Sequence, residues 1–137
     1  MRLAVADASV VVKWCTWEED SDQAEKLLQS GLAFHAPELL RLELANAIWK
    51  KTIREEIPQD LLLASEQDLE RTITQWHDNR AFIGAAFQQA CSMHHPIYDF
   101  IYLELAKSLG APLITSDRKF AAKAGDASVV LLQDWTG

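Results

Sequence analysis

Four acidic side chains stand where a carboxylate has more to do than keep the chain soluble. Asp7 directly follows an apolar run at residues 3–6, Asp117 follows the run PLITS, and Asp99 sits at the start of a helix-patterned stretch. Each of these three positions also suits a helix N-cap, so capping is the plain alternative for all of them. Glu43 has no such alternative. Its neighbours one turn away are Leu39, Leu40, Asn46 and Ala47, so it interrupts a mostly apolar helical face. A carboxylate turned towards a core without a partner is costly. No Lys or Arg lies one turn away on that face, which makes a bound cation a candidate partner. Four acids converging without cations would repel one another unless a hard divalent ion, Mg²⁺ or Mn²⁺, neutralised them.

Whether they converge depends on the elements that carry them. Residues 3–6 read as a buried strand, with a turn and a helix to follow. Residues 20–30 have helical spacing with acids early and Gly31 placed as a C-cap, and 33–36 form a second brief strand before Pro37. Residues 38–54 make a long helix whose Lys50, Lys51 and Arg54 suit its C-terminal end. Pro58 opens another helix running to about residue 74, and 79–93 form a further one, interrupted by His94, His95 and Pro96. Residues 99–109 are helical up to Gly110, Pro112 begins a strand, 117–124 form a short helix, and 128–132 a last strand. Short strands alternating with helices imply an α/β fold with a short parallel sheet covered by helices. In such a sheet the carboxyl ends of the strands line one crevice, where ligands bind. Asp7 and Asp117 then share a rim, and the four acids meet if Glu43 and Asp99 face it.

Composition narrows the classes. At 137 residues the chain suits one domain, 1–137, with one sizeable core. A hydrophobic fraction of 49% and a charged fraction of 24%, with 5 Gly and 4 Pro, exclude disorder, collagen and repeat arrays. The net charge of −7 makes the surface as a whole repel a polyanion, so a nucleic-acid role requires a local site. Cys15 and Cys91 form no C-x-x-C pair, and His35, His77, His94 and His95 lack ligand spacing, so no zinc or disulfide framework is expected. A reducing cytoplasm is the simplest setting. The N-terminal apolar run is split by Asp7 and is not read as a signal peptide, and no window approaches a membrane span.

Four pieces of the chain, VADASVVVKW, APELLRLELANAIWK, IYDFIYLELAKSLGAPLITSDRKF and VVLL, occur in an order that resembles the PIN-domain ribonucleases, and among them the VapC-type toxins of toxin–antitoxin pairs. They cover both ends of the chain, while a middle stretch, about 52–93, matches poorly. The resemblance implies a PIN-like three-layer sandwich and a metal-dependent endoribonuclease. Asp7, Glu43, Asp99 and Asp117 would be its catalytic and metal-holding quartet around Mg²⁺ or Mn²⁺, with Asn46 and Thr115 in support. It departs from the family at Phe100, where a small residue is usual, and in the HisHisPro loop before it. Lys13, Arg118 and Lys119 lie closest in sequence to the acids and are candidates for positioning RNA, with solvated surface as their alternative. A phosphoaspartyl phosphatase-like hydrolase would also place an Asp after the first strand, but it needs a second acid two residues on, where this chain has Ser9. A non-catalytic PIN-like binding module is the third class, and the presence of all four acids argues against it.

The resemblance further implies a small VapB-like antitoxin and a homodimer. Trp14 and Trp17 lead into Glu18, Glu19 and Asp20, an apolar patch rimmed by acids of the kind found at protein interfaces. Trp49, at the end of the Glu43 helix, fits either that partner surface or the core.

Overall fold

The structure is a computed structural model describing residues 2–137. Strand β1 (Leu3–Ala6) leads into helices α1 (Ala8–Cys15) and α2 (Ser21–Leu28), then β2 (Ala33–Pro37) and α3 (Leu39–Ile53). After α4 (Leu61–Thr72) come β3 (Ile73–His77), α5 (Arg80–Met93), α6 (Tyr98–Leu109), β4 (Leu113–Thr115), α7 (Arg118–Ala124), β5 (Val129–Leu131) and a 3₁₀ turn at Leu132–Asp134. The five strands are all parallel, in the order β3-β2-β1-β4-β5. This is the α/β, helix-covered sheet expected from the alternation of elements.

The sheet is dry at its centre because β1 has the means to be covered on both faces. Ala4, Val5 and Ala6 are almost completely buried although alternate strand residues point to opposite faces. Helix α6 packs against β1, β2 and β4 and carries α5, while α1 packs against β1 and β4 and carries α2 and α3. Tyr102, Phe100, Leu103 and Leu105 of α6 are fully buried, with Leu113 and Ile114 of β4 and Phe120 of α7. Gly110 ends α6 at φ +61, a left-handed turn that a β-carbon would strain and that lets the chain drop straight into β4.

One element departs from the sequence reading. The helix expected from Pro58 to about residue 74 starts at Leu61 and stops at Thr72, and the next five residues are a strand. Strand β3 lies at the sheet edge, with only Ile73 buried and Thr74 and Gln75 exposed, so it has neither an apolar run nor clean alternation to announce it. The open edge of β2 recruits it, and β-branched and aromatic residues suit the pleat. A register shift near Phe34 and His35 accompanies the pairing.

Near the carboxyl ends of β2 and β3, His35 Nδ1 lies 2.9 Å from His77 Nε2 with the rings stacked. Such a contact needs one ring nitrogen to donate and the other to accept, so it fails when both rings are charged. Burial, and then the neighbouring His77, hold the His35 pKa below its ordinary value. The folded chain therefore binds fewer protons than the unfolded chain just below about pH 6.5, and this pair loses stability as pH falls through that window. Replacing His35 with Gln should remove that component. Melting curves from about pH 7 to pH 5 should fall less steeply for the variant than for the native protein. Parallel curves would show that His35 does not titrate with folding.

Candidate active site

The order of the strands places a crevice between β1 and β4, because the chain builds β1, β2 and β3 outward in one direction and then returns to pair β4 on the other side of β1. This switch point, at the carboxyl ends of the strands, is where open α/β sheets bind ligands. Asp7 ends β1 and Asp117 follows β4. The two ends are stitched together: Asp7 N donates to Ile114 O at 3.2 Å, and Ser116 N donates to Ser9 Oγ at 2.9 Å. Ser9 in turn donates from N and Oγ to Asp7 Oδ1, at 3.1 and 2.5 Å, and its Oγ lies 3.4 Å from Thr115 Oγ1. Thr115 Oγ1 accepts from Asp117 N at 3.1 Å, and Asp117 Oδ1 caps α7 by accepting from Phe120 N at 2.9 Å. Asp7 and Asp117 are thus both helix caps and both rim carboxylates, so the two readings of these residues are not exclusive.

Glu43 and Asp99 reach the same place from α3 and α6. Glu43 Oε1 accepts from Tyr102 OH at 2.6 Å, and Asp99 Oδ2 lies 2.6 Å from His95 Nε2. The fixed partner of Glu43 is therefore a phenol on α6, 59 positions away in sequence and beyond the reach of helical spacing. His95 comes from the HisHisPro loop and rests on the rings of Phe100 and Phe120, with ring centroids 5.7 and 5.4 Å away. Phe100 is fully buried and turned into the core, so it is a support of the site rather than an obstruction in it.

The carboxyls feel one another. Burial raises the Asp7 pKa from 3.8 to about 7; the hydrogen bonds from Ser9 and Thr115 pull it down, and the charges of Asp99 and Glu43 push it up. Burial likewise raises Glu43, with Tyr102 pulling it down and the charge of Asp99 adding to the rise, and it raises Asp99, with His95 pulling it down and Asp117 adding to the rise. Among the described residues, none of the four is ion-paired to Lys or Arg. Nor are three His, Cys, Asp or Glu side chains closed up as a finished ligand cage among those residues. An Asp7 carboxyl raised first by burial and then by neighbouring carboxyls, with hard oxygen donors around it and no basic partner of its own, suits a small divalent cation.

The remaining candidate residues divide. Thr115 is fully buried in the stitching just described, and Asn46 is exposed one turn along α3 from Glu43. Arg118 and Lys119 are exposed at the start of α7. Lys13 does not reach out as a free cation: its Nζ bonds Glu18 Oε1 at 3.1 Å and Glu19 O at 2.8 Å, with its side chain only 10% exposed. Burial alone would raise the Glu18 pKa, but bonding to Lys51 and Lys13 holds it below the ordinary value. Trp14 is half-buried. It packs edge-on against Phe34 at 5.1 Å and donates from Nε1 to Ala24 O, because the turn after α1 folds α2 back over it. Trp17 and Trp49 are exposed, at 81% and 57%. Sequence reasoning missed Ser9, His95 and Tyr102 as members of the site. Tyr102 follows Asp99 by three residues, so helical spacing alone put both on one face.

Comparison with known proteins places this architecture. The sequence matches the PIN domain family over residues 4–126, and the chain belongs to that family. Among its relatives, Ribonuclease VapC3 of Pyrobaculum aerophilum is 30% identical over 125 residues, covering 90% of this chain and 95% of the relative. Two solved structures share the fold. PAE2754 from Pyrobaculum aerophilum superposes with a TM-score of 0.72 at 19% identity, over 96% of this chain and 85% of its own. A toxin–antitoxin complex from Klebsiella pneumoniae matches with a TM-score of 0.65 at 15% identity, over 94% of this chain and 97% of that one.

Proposed function

We propose that the chain, acting as one domain, is a VapC-type endoribonuclease toxin that hydrolyses RNA phosphodiester bonds with Mg²⁺ or Mn²⁺ and is held in check by a VapB-like antitoxin. One observation supports this reading: Asp7, Glu43, Asp99 and Asp117 face one another near the β1–β4 switch point without a Lys or Arg partner, His95 on Asp99 being the one basic side chain against them. The family match and the VapC ribonuclease relative support it. Asp7, Glu43, Asp99 and Asp117 would hold the ion, which supplies Lewis-acid polarisation of a phosphate and a lowered pKa for an attacking water. The chain's own contribution is preorganisation. Ser9 fixes Asp7, Tyr102 fixes Glu43 and His95 fixes Asp99, and a carboxylate not engaged with the ion would orient the water or accept its proton. Asn46 and Thr115 support the rim, and Arg118 and Lys119 are the exposed cations beside Asp117 available to RNA. Against a phosphoaspartyl phosphatase, the position two residues after Asp7 carries Ser9, whose hydroxyl is engaged in binding Asp7.

Purified protein should cleave RNA with Mg²⁺ or Mn²⁺ and stop in EDTA. Ca²⁺, which tolerates looser geometry, should raise the melting temperature while supporting little turnover. Equal rates with and without divalent ion would refute the metal-dependent reading.

Among the described residues, no helix is long and apolar enough to cross a membrane, which suits the cytoplasmic setting proposed for such a toxin. Exposed Trp17, together with Leu42, Trp49 and Ile53 on α3, offers apolar area for the antitoxin and for a second copy of the chain in a homodimer. With Trp14 half-buried against the core and its Nε1 bonded to Ala24 O, Trp17 is the more exposed anchor. Trp17→Ala should weaken antitoxin binding by about 2 kcal/mol, the range of a buried aromatic anchor, measured by calorimetry on the purified pair. Unchanged affinity would move the partner surface elsewhere.

A further inference from the structure

A groove of about 660 Å³ opens beside the acidic centre, lined by Val12 of α1, Tyr98 of α6, and Glu43, Asn46, Lys50 and Arg54 along α3. The last four follow one another at helical spacing, so one face of α3 carries a polar rail that starts at the carboxyl centre and ends at two cations. At 1.5 Å per residue, Lys50 stands about 10 Å and Arg54 about 16 Å from Glu43 along the helix axis. The neighbouring Lys51 is occupied by Glu18, at 2.5 Å. Among the described residues, Lys50 and Arg54 enter no ion pair, and both are exposed. On a chain of net charge −7, two unengaged cations on the wall that leads away from four carboxyls call for an anion running lengthwise. At the near end, Tyr98 is 55% exposed and directly precedes Asp99, so it offers a ring at the rim of the centre.

From this arrangement we infer that the α3 rail is the track for single-stranded RNA: Lys50 and Arg54 hold backbone phosphates to one side of the scissile bond, and Tyr98 stacks a base next to the cut. This rests on the ribonuclease reading and adds the residues that position its substrate. A single strand presents a phosphate at every nucleotide and bases free to stack, and stacking on an aromatic face tolerates any base. An acidic peptide arm of a partner protein would use the cations equally well but would bring its negative charge close to the four carboxyls. The geometry therefore favours a strand whose cleaved phosphate meets the metal-dependent centre.

The test uses the full chain and a labelled pool of random-sequence single-stranded RNA. Lys50→Glu and Arg54→Glu should each raise KM roughly tenfold while kcat stays nearly constant, because phosphate contacts hold substrate and transition state alike. In an Asp7→Asn background, in EDTA so that the RNA stays intact, the double variant should flatten the slope of log affinity against log salt by about 1.4, at about 0.7 per single-strand phosphate. Tyr98→Ala should weaken binding roughly fivefold or more, with rescue by Tyr98→Phe. Lys26→Glu, at an exposed position of α2, makes the same change in net charge as either single variant, away from the groove, and should leave both constants unaltered. Cleavage by the wild type with unchanged constants in the rail variants overturns the track and leaves the ribonuclease reading standing. So does a loss from Lys26→Glu equal to that from Lys50→Glu, which would mean net charge alone. A loss of antitoxin binding with RNA binding intact makes the groove a protein-docking surface and also overturns it. Failure of the wild type to cleave or bind any RNA removes the ribonuclease reading and the track together.

Discussion

Asp7→Asn will lower RNA cleavage at least about a hundredfold and at the same time make the metal-free protein more stable. The loss of activity follows from removing a negative oxygen donor at the centre of the quartet. The gain in stability follows from the Asp7 carboxyl being raised from 3.8 to about 7 by burial and by its acidic neighbours. Between those two values the folded chain keeps a proton that the unfolded chain has released, so stability falls as pH rises through that window. Above about pH 7 the whole penalty is present, on the order of a few kcal/mol at about 1.4 kcal/mol per unit. Asn carries no such proton, caps a helix as well as Asp, and still offers an oxygen to Ser9. Its melting temperature in EDTA should therefore exceed that of the native protein and vary less with pH. Adding Mg²⁺ should narrow the gap by stabilising the native protein more than the variant. Activity within twofold of native, or a variant less stable than native at about pH 8 in EDTA, would show that Asp7 is a structural cap and not part of a charged centre.

Phe100→Ala should cost about 3–5 kcal/mol of folding stability, enough to leave a domain of ordinary stability marginal. Phe100 is fully buried and meets Phe120 edge-on, with ring centroids 5.4 Å apart, beneath His95. Deleting the ring opens a cavity between α6 and α7 and removes the surface on which His95 rests while it holds Asp99. Urea unfolding should show a lower midpoint with an unchanged slope. Phe100→Leu refills much of the volume and should recover most of the stability. A cost below about 1 kcal/mol for the alanine variant would mean that the site collapses around the gap and that the aromatic cluster does not support Asp99.

The acids and the strand rhythm were readable in the chain because they depend on short-range features. An apolar run closed by Asp, followed by a helical pattern, places Asp7 and Asp117 without reference to any distant residue. The same holds for the stripe of α3 on which Glu43 interrupts apolar neighbours. The helix expected over 38–54 lies within one residue at each end of α3. The edge strand β3 was hidden because its five residues are half exposed, and their extended form is decided by the open edge of β2 far away in sequence.

Partnerships across the fold were closed to the sequence for the same reason. Ser9 meets Thr115 across 106 positions and Tyr102 meets Glu43 across 59, and no periodicity reports on such contacts. Lys13 and Trp14 show the reverse failure: local composition gave both a role at the surface, and the return of the chain through Glu18 and Ala24 engaged them instead. Which groups can carry charge, and which strand and helix ends present them, follows from residue type and local period and was legible in the chain. Which carboxyl each polar side chain steadies, and which cations stay free, depends instead on where the parallel sheet brings remote strand ends together.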